Sequence, residues 1–356
     1  MNKTPMYECH VEQKALMAEF AGTLLPLRFS SEHEEYLATR TKAGMFDVSH
    51  MGEFLISGDD AYDFLQYMLS NDLDKLDINQ SQYTLLLNNL GGIIDDLIVY
   101  KLSPKKYLLC VNAGNISKDW HWLCEHAYKY NNLSLENLSD DYGQIALQGA
   151  NTFLILKILG FEKHLAKFEI ASFNYLDKEL LIARTGYTGE EYGVEIFVPK
   201  EVARELWQKL LLIGHNFGLK PCGLSVRDCL RIEAGLLLWG VDMSMDTTPT
   251  NLGLMNFVHM PKNFIAKEAL KNAQKTHNLI GFKMLNKAIA RHGYQVFDTH
   301  GQFIGHVTSG TFIADKNISI GFAYINNNLI KNGETITIQI RNQSLDATVC
   351  KKKFLR

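Results

Sequence analysis

Gly91-Gly92-Ile93-Ile94-Asp95-Asp96-Leu97-Ile98-Val99-Tyr100 reads as a tight turn that releases a strand. Successive side chains of a strand face opposite sides. Ile93, Asp95, Leu97 and Val99 therefore share one face, and Ile94, Asp96, Ile98 and Tyr100 share the other. Both faces are apolar apart from the aspartates, so at least one carboxylate is expected among buried groups. Burial without a partner is costly for a carboxylate and raises its pKa. Such a group needs a hydrogen-bond donor or a catalytic use. The competing reading, equally weighted on spacing, is a frayed strand end whose two aspartates reach water. Alternation alone does not choose between Asp95 and Asp96.

Outward from this strand, which is expected over 93–101 with a second over 107–111, the first three quarters of the chain mix helices and strands. Ser31 is the expected N-cap of a helix to Lys42, with Gly44 its C-terminal cap. A strand is expected over 45–56. Ser57-Gly-Asp-Asp60 has the pattern of a capping box opening a helix over 61–69. Ser117 is expected to cap a helix to about Tyr128. Residues 145–159 read as a strand then a helix, 194–198 as a strand, and 201–212 as an amphipathic helix. Ser225 and Asp228 have capping-box spacing for a helix that ends at Gly235. From about Leu279 the pattern becomes short apolar runs separated by Asn, Gly and Lys turns. That is the signature of an all-β module of barrel or sandwich type, with a boundary near residue 275.

The 356 residues suit two or three domains. An apolar fraction of 46% with 21% charged residues is that of an ordinary globular protein. A net charge of −3 argues against a general nucleic-acid binder. The N-terminal stretch has neither an apolar signal core nor an Arg-rich transit pattern, and no apolar run approaches the ~20 residues of a membrane span. A soluble, cytoplasmic protein is expected, with no membrane partner. The 6 cysteines are scattered without a C-x-x-C pair, and the 12 histidines lack ligand spacing. Free thiols and no metal are expected.

Three further segments carry candidate chemistry. Asp47, Ser49 and His50 lie together in Phe46-Asp-Val-Ser-His-Met51, but alternation turns His50 away from the other two. A triad is geometrically poor there, and structural hydrogen bonding is the better expectation. Met51 is a candidate pocket-lining residue. Arg184-Thr-Gly-Tyr187-Thr-Gly189-Glu190 is a glycine-rich turn without a phosphate-cradling pattern. The strand after it carries Glu195 between apolar neighbours, where it either accepts paired donors from a planar heterocycle or faces water at an edge. Arg227 sits in the first turn of a helix, the end a cation disfavours, so it invites a carboxylate partner; Glu233 is a structural candidate.

In this order over nearly the whole chain, these segments resemble the glycine cleavage T-protein family. The resemblance rests on Phe20-Ala-Gly22, Gly44-Met-Phe-Asp-Val-Ser-His-Met-Gly52, Gly91-Gly-Ile-Ile-Asp-Asp-Leu97, Val111-Asn-Ala113, Leu147-Gln-Gly149 and Arg184-Thr-Gly-Tyr-Thr-Gly-Glu190. Arg227-Asp, Arg231, Glu233-Ala, Asp242-Met, Thr248-Pro249, Arg291 and Thr308-Ser-Gly310 extend it. It implies an α+β fold: a three-domain cloverleaf around a central folate cavity, with a C-terminal β-barrel. The implied division is 1–51 with 142–274, then 52–141 carrying Asp96, then 275–356. It implies an aminomethyltransferase that takes the aminomethyl group from the dihydrolipoyl arm of H-protein to tetrahydrofolate, releasing ammonia. Asp96 then falls on the catalytic position, and Met51, Tyr83, Asn112, Tyr187, Glu195 and Arg227 on folate-contacting ones. Asp95→Asn is accordingly expected to cost much less than Asp96→Asn.

The chain departs from the family where Glu and Trp become Asn251 and Asn256, where Ser-Pro becomes Ile313-Ala314, and where a terminal Tyr becomes Leu355. Tyr192 stands as an inserted residue. These departures are expected along the wall that holds the folate tail. Lys351, Lys352, Lys353 and Arg356 either meet an acidic tail or partner, or form a solvated end. Other classes compatible with the resemblance are a non-catalytic folate or lipoyl-protein binder and a folate-dependent sarcosine or dimethylglycine demethylase. The second lacks room here for a flavin domain.

Overall fold

The computed structural model describes residues 1–326 and 330–355. The chain begins with a small sheet, β1 (Asn2–Lys3), β2 (Leu16–Phe20) and β3 (Thr23–Arg28), with helix α1 (Tyr7–Glu12) between the first two. Helix α2 (Glu32–Thr41) follows. Its N-cap is Ser31, whose hydroxyl accepts from the Glu34 amide. The C-cap is Lys42, two places before the Gly44 that the sequence suggests. Gly44 lies instead in strand β4 (Ala43–Asp47), where a Cβ would come within 2.1 Å of Thr39 Oγ1. The glycine lets helix and strand touch.

The single strand expected over 45–56 is two strands. After β4 the backbone turns at Val48–Met51 and enters β5 (Gly52–Ser57), which belongs to another sheet. Helix α3 (Ala61–Met68) is capped at Asp60 without a side-chain bond; the Asp60 carboxylate accepts from Asn132 N instead, so the capping box does not form. Strands β6 (Gln80–Leu87), β7 (Ile93–Ser103) and β8 (Lys106–Val111) precede helix α4 (Ile116–Ala127) and β9 (Ser134–Asn137). Ser117 lies inside α4 rather than at its cap. These strands form a five-stranded sheet in the order β6-β7-β8-β5-β9.

The chain then returns to the sheet that β4 began. β10 (Tyr142–Gln148), helix α5 (Thr152–Leu159), β11 (Ile170–Tyr175), β12 (Lys178–Ala183), β13 (Gly193–Pro199), helix α6 (Lys200–Gly214) and β14 (Leu219–Cys222) complete six strands in the order β11-β12-β13-β10-β4-β14. Helix α7 (Leu224–Ala234) is N-capped by Gly223, whose amide donates to Glu35; Ser225 Oγ donates to Leu27 O instead of closing a box. Gly235 ends the helix in the left-handed region, as expected. Short helices α8 (Pro249–Leu252) and α9 (Lys267–Lys271) lead into β15 (His277–Met284), β16 (Gln295–Phe297), β17 (Phe303–Ile313), β18 (Ile318–Asn326), β19 (Thr335–Ile340) and β20 (Gln343–Cys350). These six close into a barrel. No helix among the described residues is long and apolar enough to cross a membrane.

One face of the five-stranded sheet packs under α3 and α4, with Leu97, Val99, Leu109, Phe64, Leu65 and Leu123 in one apolar cluster. The other face meets the six-stranded sheet through Tyr100, Leu108, Cys110, Ala183 and Phe197. Tyr100 stands edge-on to Phe197 with centroids 5.4 Å apart. Strand β7 is thus covered on both sides, as its two apolar faces require. Helix α7 joins the sheets to the barrel: Arg231 pairs with Asp242, whose carboxylate also accepts from Thr308 Oγ1 and from Ser309 Oγ at 2.7 Å. A buried ion pair saturated by hydroxyl donors meets the condition under which burial of charge is tolerated.

Candidate active site

The site starts from the turn that precedes β7. Asn88 Oδ1 accepts from the amides of Leu90 and Gly92. Gly91 takes φ +85°, and a Cβ on Gly92 would lie 1.8 Å from Met245 O. Both glycines are required, one by conformation and one by close approach. The loop after α7 then grips the strand: Ile93 N donates to Thr247 O and Trp239 Nε1 donates to Ile93 O.

Further along β7, Asp96 pairs in register with Leu85 of β6. On the other side Ile98 pairs with Cys110, so continuing that register sets Asn112 opposite Asp96. Tyr83, two residues from Leu85 on β6, points to the same face. Tyr83 Oη donates to Asp96 Oδ2 at 2.9 Å, and Asn112 Nδ2 donates to Asp96 Oδ1 at 3.0 Å. This is a cross-strand constellation on one face. Burial, then the neighbouring Asp95 charge, push the Asp96 carboxyl up to about 7, against the pull of the Tyr83 and Asn112 donors. The frayed-end alternative is overturned, since Asp95 is fully buried and Asp96 is held by two side-chain donors.

Asp95 faces the helices. It accepts from Asn112 N and Asn112 Nδ2, both at 2.9 Å, and from Asn115 Nδ2. Burial raises its pKa and these donors oppose the rise. Asn112 therefore spans both aspartates, one on each face of the strand.

The second group comes from the six-stranded sheet and α7. Glu195 on β13 is buried, not at a water-facing edge. Its Oε2 accepts from Thr185 Oγ1 at 2.6 Å, and Oε1 carries no hydrogen bond among the described residues. Burial raises its pKa, while Thr185 and the Arg227 charge act against it. Arg227 lies over the Tyr187 ring at 4.8 Å, and its buried Nη1 has no hydrogen-bond partner. Burial lowers the Arg227 pKa. Tyr187 Oη donates to Leu237 O at 2.5 Å; burial raises its pKa, with the Arg231 charge opposing the rise and the Asp96 charge adding to it. Met51 packs against the apolar clusters of both sheets. The structure thus links Tyr83, Asp96 and Asn112 directly, and sets Tyr187, Glu195 and Arg227 as the adjoining set.

Asp47 and His50 form no hydrogen bond with each other, but the cause is the turn at Val48–Met51 rather than strand alternation. Asp47 accepts from Thr4 Oγ1 at 2.6 Å, from Ser49 N, and pairs with His10 at 2.7 Å. His50 is buried against Phe20, and burial followed by the Arg227 charge lowers its pKa to about 4. Glu233 serves Arg40, Tyr36 and Lys316 rather than Arg227.

The departures do not form one wall. Asn251 is buried and works structurally: its Oδ1 accepts from Thr248 N and Oγ1, and its Nδ2 donates to His277 O at the entry to the barrel. Asn256 is exposed, while the next residue, Phe257, stands edge-on to Tyr83 at 4.6 Å. Ile313 is a buried barrel residue. Tyr192 is accommodated outside, near Phe153 and Arg184. Leu355 N donates to Glu233 O, so the tail docks on α7. Lys352 donates to Leu252 O, Lys351 and Lys353 are exposed, and Arg356 lies outside the described residues.

Sequence reasoning missed Asn115, Asp119, Thr185, Trp239 and Phe257. Their roles depend on long-range contacts. Asn115 lies three residues beyond Asn112, and only the fold shows that both reach Asp95.

The chain matches the family model described as the GCVT N-terminal domain over residues 6–262, and that of the glycine cleavage T-protein C-terminal barrel domain over 277–355. It is 44% identical to an aminomethyltransferase of Caldanaerobacter subterraneus subsp. tengcongensis over 366 residues, covering 100% of this chain and 96% of that one. It is 42% identical to an aminomethyltransferase of Staphylococcus carnosus, covering 99% and 98%. The crystal structure of the glycine cleavage system aminomethyltransferase T from Bartonella henselae superimposes with a TM-score of 0.92 at 33% identity, covering 99% of this chain and 98% of that one. With both family models matched along the chain and full-length relatives above 40% identity, this protein belongs to the glycine cleavage T-protein family.

Proposed function

We propose that this aminomethyltransferase carries the one-carbon unit of an aminomethyl group on a dihydrolipoyl arm of H-protein to tetrahydrofolate, with Asp96 as its catalytic carboxylate. The observation that carries the assignment is the state of Asp96. It is partly buried, its carboxyl is pushed up to about 7, and it is held by Tyr83 and Asn112 on the face that looks toward Tyr187. A carboxyl balanced near neutrality can take or return a proton and can stabilise developing positive charge.

The residues suit the pterin ring. Arg227 Nη1 is a buried donor without a partner, and Glu195 Oε1 is an acceptor in the adjoining position. Such groups match the ring's acceptor and N–H edges, and leaving either unmatched would be unfavourable. Tyr83, Tyr187 and Met51 supply apolar walls, and Asn112 keeps its Oδ1 for the ligand while its amide nitrogen holds the aspartates. Tetrahydrofolate supplies the two nitrogens that receive the carbon. Ammonia and the dihydrolipoyl thiol are the other products. Asp96 orients the acceptor and balances charge at the transferring carbon, and the fixed geometry supplies the larger part of the acceleration, since orientation is worth up to ~7–11 kcal/mol.

The two sheets and the barrel support a division into 1–51 with 142–274, 52–141, and 275–356, with the site between the first two. The free thiols at all six cysteines support a cytoplasmic setting. The deciding assay supplies aminomethylated H-protein and tetrahydrofolate. Folate-dependent release of ammonia with formation of methylenetetrahydrofolate is expected; folded protein that binds folate without turnover would point to a non-catalytic binder.

A further inference from the structure

Behind Asp96, on the helix side of β7, two aspartates are buried together. Asp95 and Asp119 are each fully buried, and Asp119 lies in the first turns of α4 within hydrogen-bonding reach of Asp95. Asp95 already accepts three amide hydrogens, two from Asn112 and one from Asn115. The Asn115 amide is fixed in that orientation because its Oδ1 accepts from Lys118 Nζ at 2.8 Å. Asp95 is thus arranged as a carboxylate.

Asp119 is arranged as its opposite. Neither of its oxygens finds a donor among the described residues. As a second carboxylate it would be desolvated and would face a like charge, the situation in which one of two carboxyls keeps its proton. The ionisable groups that face it are Asp95 and Asp96 on β7 and Lys118 on its own helix. The Lys118 ammonium is directed to Asn115 and to the Trp239 ring, 3.5 Å from its centroid, rather than bonded to Asp119. A neutral acid has one O–H to give, and Asp95 is the acceptor in front of it.

We propose that Asp119 is a positioning residue that stays a carboxylic acid, donates its hydrogen to Asp95, and through the Asp95–Asn112 link fixes the orientation of Asp96. The proposal rests on Asp96 being the reaction centre. Two asparagines and three aspartates then form one relay, in which each link has a donor and an acceptor: Asp119 to Asp95, Asn115 to Asp95, and Asn112 to both Asp95 and Asp96. Burial and the Asp95 charge both push the Asp119 carboxyl up, which accords with this state.

Infrared difference spectra and kinetics of the full-length protein test the idea. At pH 8, the wild type minus Asp119→Asn spectrum is expected to show a carboxylic-acid carbonyl band. Asp119→Asn keeps a neutral donor and should hold kcat within about 3-fold. Asp119→Leu, which has no donor, should lose roughly 10- to 100-fold in kcat, as expected for a misplaced catalytic group, while the dissociation constant for tetrahydrofolate is unchanged. Absence of the band, or equal damage from the Asn and Leu variants, overturns the proposal. Should Asp119→Leu fail to fold, the band and the Asn variant still decide it. Full activity in Asp96→Asn would instead remove the reading of Asp96, and the band would still report the state of Asp119.

Discussion

Tyr83 Oη donates to Asp96 Oδ2 at 2.9 Å across paired strands, and burial with the Asp95 charge holds that carboxyl near 7. The donor stabilises the charged form, so Tyr83→Phe should raise the Asp96 pKa further. Hydrogen bonds to charged groups are worth ~1.5–3 kcal/mol, which corresponds to roughly 1–2 pH units. With the carboxylate as the working form, the rate of the wild type rises with pH through about 7. In Tyr83→Phe the same limb should move upward by about that amount. A pH profile of kcat measures it; an unmoved limb would detach Asp96 from the titration.

The linkage to stability has the opposite sign from that of an ordinary paired carboxylate. Asp96 has its folded pKa raised from 3.8 to about 7, so between those values the folded protein binds the extra proton. Stability from this group is fully present in acid and falls as pH rises through 7. Asp96→Asn should therefore melt higher than the wild type at pH 8, with the gap closing below about pH 4, while losing most of the rate and keeping folate binding. Asp95→Asn is a different case from the one that the resemblance implies. Its amide oxygen can replace only one of the two carboxylate oxygens, so its new N–H groups face either Asn112 N or the side-chain donors of Asn112 and Asn115. It should lower both the melting temperature and kcat, and thermal melts beside turnover separate the two variants.

How far the sequence could be read depends on the range of the interaction. The two apolar faces of 93–100 are a local signal, and β7 is indeed covered on both sides. The barrel was legible for the same reason, since each strand carries its own alternation and turn. Alternation could not separate Asp95 from Asp96, because both have partners from remote chain segments: Tyr83 thirteen residues away, Asn112 sixteen or seventeen. Capping boxes at Ser57 and Ser225 failed where tertiary partners captured the side chains. The stretch Thr308-Ser309, one of those that carry the resemblance, is structural, because it saturates the Asp242 carboxylate.

Asp47 belongs to the structural class as well. Burial would raise its pKa, but His10, Thr4 and Ser49 more than offset this, and the carboxyl lies below its ordinary value. A depressed carboxylate contributes stability above its unfolded pKa of about 4, lost as pH falls through the lower folded value. Asp47→Ala leaves the buried His10 Nε2 and the Thr4 hydroxyl without their partner, and a buried polar group left unsatisfied costs about 1–3 kcal/mol. Denaturant melts should show that loss at pH 7 and a smaller one near pH 2, while folded Asp47→Ala should retain kcat. A selective loss of kcat would restore a catalytic role to this segment.

Arg227 offers the sharpest separation of binding from chemistry. Its Nη1 is buried without a partner, its plane lies on Tyr187, and Glu195 adjoins it. Arg227→Met keeps bulk and apolar contact with the Tyr187 ring but removes the donor. A charged hydrogen bond is worth ~1.5–3 kcal/mol, so folate affinity should fall roughly 10- to 100-fold. Glu195 then loses the cation that restrains its pKa and keeps its proton to higher pH, so the binding loss should be larger at the lower pH, where the carboxylate acceptor is missing as well, and shrink as pH rises. Titration calorimetry with tetrahydrofolate at pH 6 and pH 8 measures both effects. At saturating folate, kcat should stay within about 3-fold of the wild type, because an interaction made equally in ground and transition states changes binding alone. A collapse of kcat at saturation would place Arg227 at the transferring carbon rather than on the pterin edge.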